Sequence, residues 1–164
     1  MKFIKNVFSQ LHRFVLWLVI SAVFWGWIFT LVTDTTADKK VTVYCQVPAV
    51  EDTALAAALE KHMPEGLRMV KIHTFDYVMF GTEDFYHGDI FILPASEIGT
   101  YEELLAPVEG AWGVQVYDAA SGVGIAARYL QYPEEDCYLF LGADSEHRED
   151  GKALAVAKAL LAIK

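Results

Sequence analysis

Hydrophobic and polar positions follow two regimes along this chain. From Phe14 to Val32 there is no polar face: FVLWLVISAVFWGWIFTLV carries neither charge nor proline. A helix over 14–32 rises roughly 28 Å, close to the thickness of a bilayer's hydrocarbon core. From residue 41 onward, short apolar runs alternate with amphipathic stretches. VTVYCQV (41–47) is β-branched and aromatic, and predicts a strand ended by Pro48. Glu51 to Met63 places Leu55, Leu59 and Met63 on one helical stripe, with Asp52 or Thr53 as cap and Pro64-Glu65-Gly66 as stop. Leu67 to Phe75 predicts a second strand, and Thr82 to His87 a short helix or turn. DIFIL (89–93) is a continuous apolar run, which predicts a central parallel strand buried on both faces.

Thr100-x-x-Glu103 has capping-box spacing and predicts a short helix, YEELLA, closed by Pro107. Val114 and Val116 then alternate with Gln115 and Tyr117. With the turn at Ser121-Gly122 and the strand-like 123–129, this predicts a hairpin or broad β-loop. CYLFL (137–141) predicts another buried strand. Asp150 opens a last helix with Leu154, Ala157 and Leu161 on one face. The order β-α-β-α-β-α implies an α/β fold: an open, mostly parallel sheet flanked by helices on both faces.

Charge settles the orientation. Lys2, Lys5 and Arg13 precede the apolar run without any acid. The positive-inside rule places the N-terminus in the cytoplasm and the rest outside. Trp17, Trp25 and Trp27 stand near the two interfaces. The organisation expected is a cytoplasmic 1–13, a transmembrane helix 14–32, a linker 33–40 and an extracytoplasmic domain 41–164, in a single-pass protein of the cell membrane. The other reading is a cleaved signal, with small residues at Thr35-Thr36-Ala37. Signal h-regions usually span about 7–15 residues, and the longer run favours the uncleaved anchor. Residues 41–164 hold 8 Lys and Arg against 20 Asp and Glu, a net charge of −12. Such a domain lacks the basic footprint that nucleic acid requires. Cys45 and Cys137 are the only cysteines; buried free thiols and an extracellular disulfide are both open readings.

The succession VTVYCQV, an Ala-rich helix, a strand, GDIFILP and YEELLAPV resembles the first lobe of the extracytoplasmic solute-binding proteins of ABC importers. CYLFLGADS and the terminal helix resemble the stretch where such chains return to that lobe. The resemblance implies a single-lobe, periplasmic-binding-protein-like domain. Only a hairpin, about 112–130, stands where a second lobe would be inserted. Half a cleft cannot enclose a small ligand as a full one does. The expected function is therefore a non-enzymatic binding domain that works through an envelope protein partner or transporter component. The alternative is a solute receptor of an ABC-type importer whose cleft a second chain completes.

Ligands of open α/β sheets sit beyond the carboxyl ends of the strands. That rule selects Asp76, Tyr77, Ser96 and Glu97 as ligand-binding candidates, with helix and turn capping as the plain alternative. The aromatic stretch 75–80 with Phe85 and Tyr86 is a candidate partner surface or, alternatively, core. Glu83, Asp84, His87 and Asp89 lack a recognised metal-ligand spacing. The acids at 144–150 fail the EF-hand pattern, because its glycine position is Glu149. Gly122-x-Gly124-x-x-Ala127 lacks the strand-before, helix-after context of a dinucleotide fingerprint. With no nucleophile paired to an evident base, no catalytic residue, metal or cofactor is assigned.

Overall fold

A computed structural model describes residues 2–33, 36–75 and 83–163. Side chains within them are described except at 2–10, 12, 30–33, 37 and 83. The chain divides into two units, Met1–Thr35 and Thr36–Lys164.

The first unit is one helix, α1 (Lys2–Thr33). Its described apolar side chains are exposed apart from half-buried Ile28, among them Phe14, Trp17, Val23, Trp25 and Phe29 at 64, 67, 68, 66 and 69%. Among the described residues no helix is long and apolar enough to cross a membrane. The described side chains at 11 and 13–29 stop short of the full apolar run at 14–32.

The second unit is an α/β layer structure. β1 (Lys40–Cys45) has β3 (Met69–Thr74) on one side and β4 (Ile90–Pro94) on the other, both parallel to it. Beyond β4 the sheet changes sense. β9 (Cys137–Gly142) pairs antiparallel with β4, and its far edge is shared by β5 (Leu105–Ala106) and β6 (Val114–Asp118). β6 pairs in turn with β7 (Val123–Gly124). The sheet is thus mixed, where a mostly parallel one was expected. DIFIL is central and wholly buried as predicted, but only one of its neighbours is parallel. β2 (Ala49–Val50) and β8 (Leu130–Gln131) form a separate two-stranded ribbon, so the expected strand 123–129 is only two residues long.

Alternation along the strands builds two cores. Val41, Val43, Cys45, Val70, Ile72, Ile90, Ile92, Leu139 and Leu141 face the helices α2 (Asp52–Glu60) and α4 (Lys152–Ala162). Leu55 and Leu59 of α2 and Ala153, Val156, Ala157 and Leu160 of α4 close that core. The face of α4 differs from the expected one. Leu154 and Leu161 lie half-buried at its flanks, and the tight approach is made by Ala153 and Ala157. The opposite sheet face carries an aromatic core of Tyr44, Phe85, Phe91, Tyr101 and Phe140 with Leu93 and Leu105. It is covered by one-turn α3 (Glu83–Tyr86) and by 3₁₀ turns at Ala95–Thr100 and Glu102–Leu104.

The predicted helix YEELLA is absent. The turn at Glu102–Leu104 has no side-chain cap, and Leu105 and Ala106 leave it to pair with Gly142 and Leu141. Sheet pairing and burial of Tyr101 and Leu105 override a capping-box spacing that a short helix exploits only weakly. Cys45 and Cys137 are both free and buried. Cys45 stands opposite Ile92 of β4, and Cys137 opposite Pro94 on that strand's other side. An intervening strand and a two-residue offset along it put their Cα atoms roughly 11–12 Å apart, beyond disulfide reach.

Candidate functional site

The aromatic core covers only part of its sheet face. β1 and β3 extend past it, and their polar side chains line a concavity of about 140 Å³. The alternation K-V-T-V-Y-C puts Lys40, Thr42 and Tyr44 on this face while Val41, Val43 and Cys45 enter the helical core. The alternation M-V-K-I-H-T does the same for Lys71 and His73. Register pairs Thr42 with Lys71 and Tyr44 with His73.

Asp89 forms the floor. It is 4% exposed, directly before β4, and its backbone N–H donates to Thr42 O at 3.1 Å. Its carboxylate accepts the Thr42 N–H at 2.7 Å and the Ser145 hydroxyl at 2.5 Å. Burial pushes its pKa up, and those hydrogen bonds work against the rise. His147, 2% exposed, closes one end. Its Nδ1 lies 3.1 Å from Asp150 Oδ2 and its Nε2 3.2 Å from Lys40 O. Both neighbours are acceptors, so a ring carrying both protons donates to each. At the other end the Tyr44 hydroxyl donates to Asp84 O at 3.2 Å, and the Tyr44 ring stacks on His73 with centroids 5.4 Å apart. Burial lowers the His73 pKa, and the charges of Lys71 and Lys40 lower it further. Asp84, His87 and Glu146 complete the rim.

Of the residues selected by the carboxyl-end rule, the two that are described, Ser96 and Glu97, stand away from this concavity. Ser96 and Glu97 lie in the turn after β4. Ser96 N–H and Oγ both donate to the Glu135 carboxylate, at 3.1 and 3.0 Å, which ties that turn to the segment before β9. Glu97 is half-buried; burial, then its charge, raises the Tyr101 pKa. Asp76 and Tyr77 lie outside the described residues, as does most of the aromatic stretch 75–80. Phe75 and Phe85 belong to the aromatic core, whereas Tyr86 is 48% exposed.

Sequence reasoning passed over Lys40, Thr42, Lys71 and His73. The signal was present: a strand buried on both faces reads as a continuous apolar run, and these two strands alternate. Among the described residues, no group of three His, Cys, Asp or Glu side chains is arranged to hold a metal ion. Chemically, the concavity offers charged groups and hydrogen-bond donors and acceptors beside a sheet, and the Ser145 hydroxyl on the Asp89 carboxylate lies buried beneath it.

Comparison of the chain with family models, with curated proteins and with solved structures finds no match.

Proposed function

We propose that this chain is a non-enzymatic, membrane-anchored, extracytoplasmic binding domain with the architecture of one solute-binding lobe. It acts by contact with an envelope protein partner or a transporter component. The observation that carries the reading is the join at β6 and β7. Val114–Asp118 and Val123–Gly124 pair as a short antiparallel hairpin, and on the single-lobe reading this hairpin stands in for an inserted second lobe. One lobe leaves its strand-end edge open, and an open edge gives a small solute too little enclosure for tight binding. A protein partner covers more surface and gains affinity from it.

The apolar helix supports the anchoring half of the proposal. Apolar side chains exposed on every side of a helix require a cover, and lipid supplies one for a run of this length. The positive flank at Lys2, Lys5 and Arg13 favours an external domain.

The partner half is tested in living cells with a photo-crosslinking residue at Ser96 or Glu97 and, as control, at exposed Glu60. The expected result is one discrete adduct from the first two positions and none from the third. The same adduct from all three, or a second copy of the chain as the sole adduct, contradicts a docking edge. The latter outcome favours a receptor whose cleft a second chain completes.

A further inference from the structure

We propose that His147 is a pH-sensitive latch: with both ring nitrogens protonated it holds the entry segment 38–40 to the loop before α4, and loss of one proton releases that segment. The latch lies within the second unit and does not depend on the binding role proposed above.

The entry segment is fastened by its carbonyls. Lys152 Nζ donates to Asp38 O at 2.9 Å, Arg68 N–H donates to Lys39 O at 2.8 Å, and His147 Nε2 stands 3.2 Å from Lys40 O. Two of these three fasteners rest on Asp150. Its Oδ2 lies 3.1 Å from His147 Nδ1 and 2.7 Å from Lys152 Nζ, and its Oδ1 accepts the Lys152 N–H at 3.0 Å. The His147 backbone is held as well: its N–H donates to Ser145 Oγ at 3.1 Å, and its O accepts the Ala153 N–H at 3.3 Å. The ring therefore bridges a carboxylate and a carbonyl from a fixed position.

Proton count makes that bridge conditional. A neutral imidazole carries one N–H and one lone pair. Whichever nitrogen gives up its proton, a lone pair then faces an acceptor oxygen at 3.1 or 3.2 Å. At 2% exposure the ring has little water to turn to instead. The surrounding charges pull both ways. Asp150 is in direct contact with the ring, Asp89 before β4 attracts its positive form, and Glu146 precedes it in the loop. Lys40 of β1 and Lys152 of α4 oppose them, although Lys152 is itself drawn to Asp150. The remaining titratable groups of the hollow are Lys71 and His73 from β3 and Asp84 and His87 from the α3 segment. Histidine ordinarily titrates between about pH 5 and 8. The latch is complete below the His147 midpoint and one contact short above it. At the acid end it fails only when Asp150, held at about 2, takes up a proton.

The test is NMR on the full chain in detergent micelles, from about pH 4 to 9. The ring ¹⁵N signals of His147, assigned by their absence from His147→Gln, should titrate in one step. The backbone amides of Lys39 and Lys40 should shift with the same midpoint. Above it, exchange of the Arg68 N–H, divided by that of an exposed amide to remove base catalysis, should rise about tenfold, the effect of losing one charged hydrogen bond. Asp150→Asn should lower the ring midpoint by about one pH unit, the effect of removing an adjacent opposite charge. Asp150 is 38% exposed, so this variant carries the test where His147→Gln fails to fold, and unchanged Phe91 and Phe140 amides verify its fold. A ring that keeps one charge state across the range, a ring that titrates without moving the Lys39 and Lys40 amides, or a midpoint as high in Asp150→Asn as in the natural chain overturns the proposal.

Discussion

The Asp89 carboxylate accepts the Ser145 hydroxyl at 2.5 Å across 56 residues of chain. Its other oxygen holds the Thr42 N–H, and Ser145 Oγ accepts the His147 N–H at 3.1 Å. One buried acid thus fastens the loop after β9 to the starts of β1 and β4. Asp89→Ala leaves the Thr42 N–H and the Ser145 hydroxyl without their acceptor. Each such group costs about 1–3 kcal/mol when buried, so a loss of roughly 2–4 kcal/mol is expected from a total of about 5–15. Chemical denaturation should show this, with exposed Glu134→Ala as reference. Equal midpoints for the two variants would mean that the loop is held by other contacts.

Asp150 predicts the acid limb of stability. Partial burial pushes its pKa up, but the Lys152 ammonium at 2.7 Å, the Lys152 N–H at 3.0 Å and the His147 ring outweigh it and hold the pKa at about 2. A carboxyl whose folded pKa is depressed stabilises the fold above its unfolded value, near 3.8. That contribution is lost as pH falls from there through about 2. Asp150→Asn should flatten the denaturation midpoint over this interval. Parallel pH profiles for the two proteins would contradict the assignment.

Among the described glycines, Gly142 has the tightest backbone neighbour. A Cβ there would stand 1.8 Å from the Gly88 carbonyl oxygen, and backbone cannot rotate away as a side chain can. Gly142→Ala should therefore cost several kcal/mol and lower the melting temperature markedly. Gly99 has open space around it and should accept alanine with little change. Similar melting temperatures for the two variants would mean that β9 and the Gly88 turn are not packed against each other.

These residues also mark what could be read from sequence. The buried strands at 90–93 and 137–141 and the α2 stripe of Leu55 and Leu59 were legible, because continuous apolar runs and helical periodicity report burial directly. The sense of β9 was not. Its residues are apolar on both faces whether it runs parallel or antiparallel to β4, and no local signal distinguishes the two. The Thr100–Glu103 spacing misled because β5 pairing is a long-range event, invisible in a four-residue motif. The concavity needed register as well as alternation: Lys40, Lys71 and His73 meet only once β1 and β3 are aligned.

The two thiols make a chemical prediction. Burial pushes the Cys45 thiol up to about 12; burial, then Glu135 and Asp136, does the same to Cys137. Thiolate is the reactive form, so both should resist a thiol reagent at neutral pH and react together on unfolding. Mass spectrometry should find no disulfide between them. Rapid labelling of either cysteine in the native protein would contradict its placement in the core.

The most direct test of the account is topology. With one tag before Lys2 and another after Lys164, membranes are washed with alkaline carbonate and intact cells are treated with protease. The proposed anchor predicts that both tags pellet with the membrane, and that protease removes the C-terminal tag while the N-terminal one stays protected until lysis. A C-terminal tag shielded in intact cells, or a protein released by carbonate, would contradict a membrane-anchored domain facing outward.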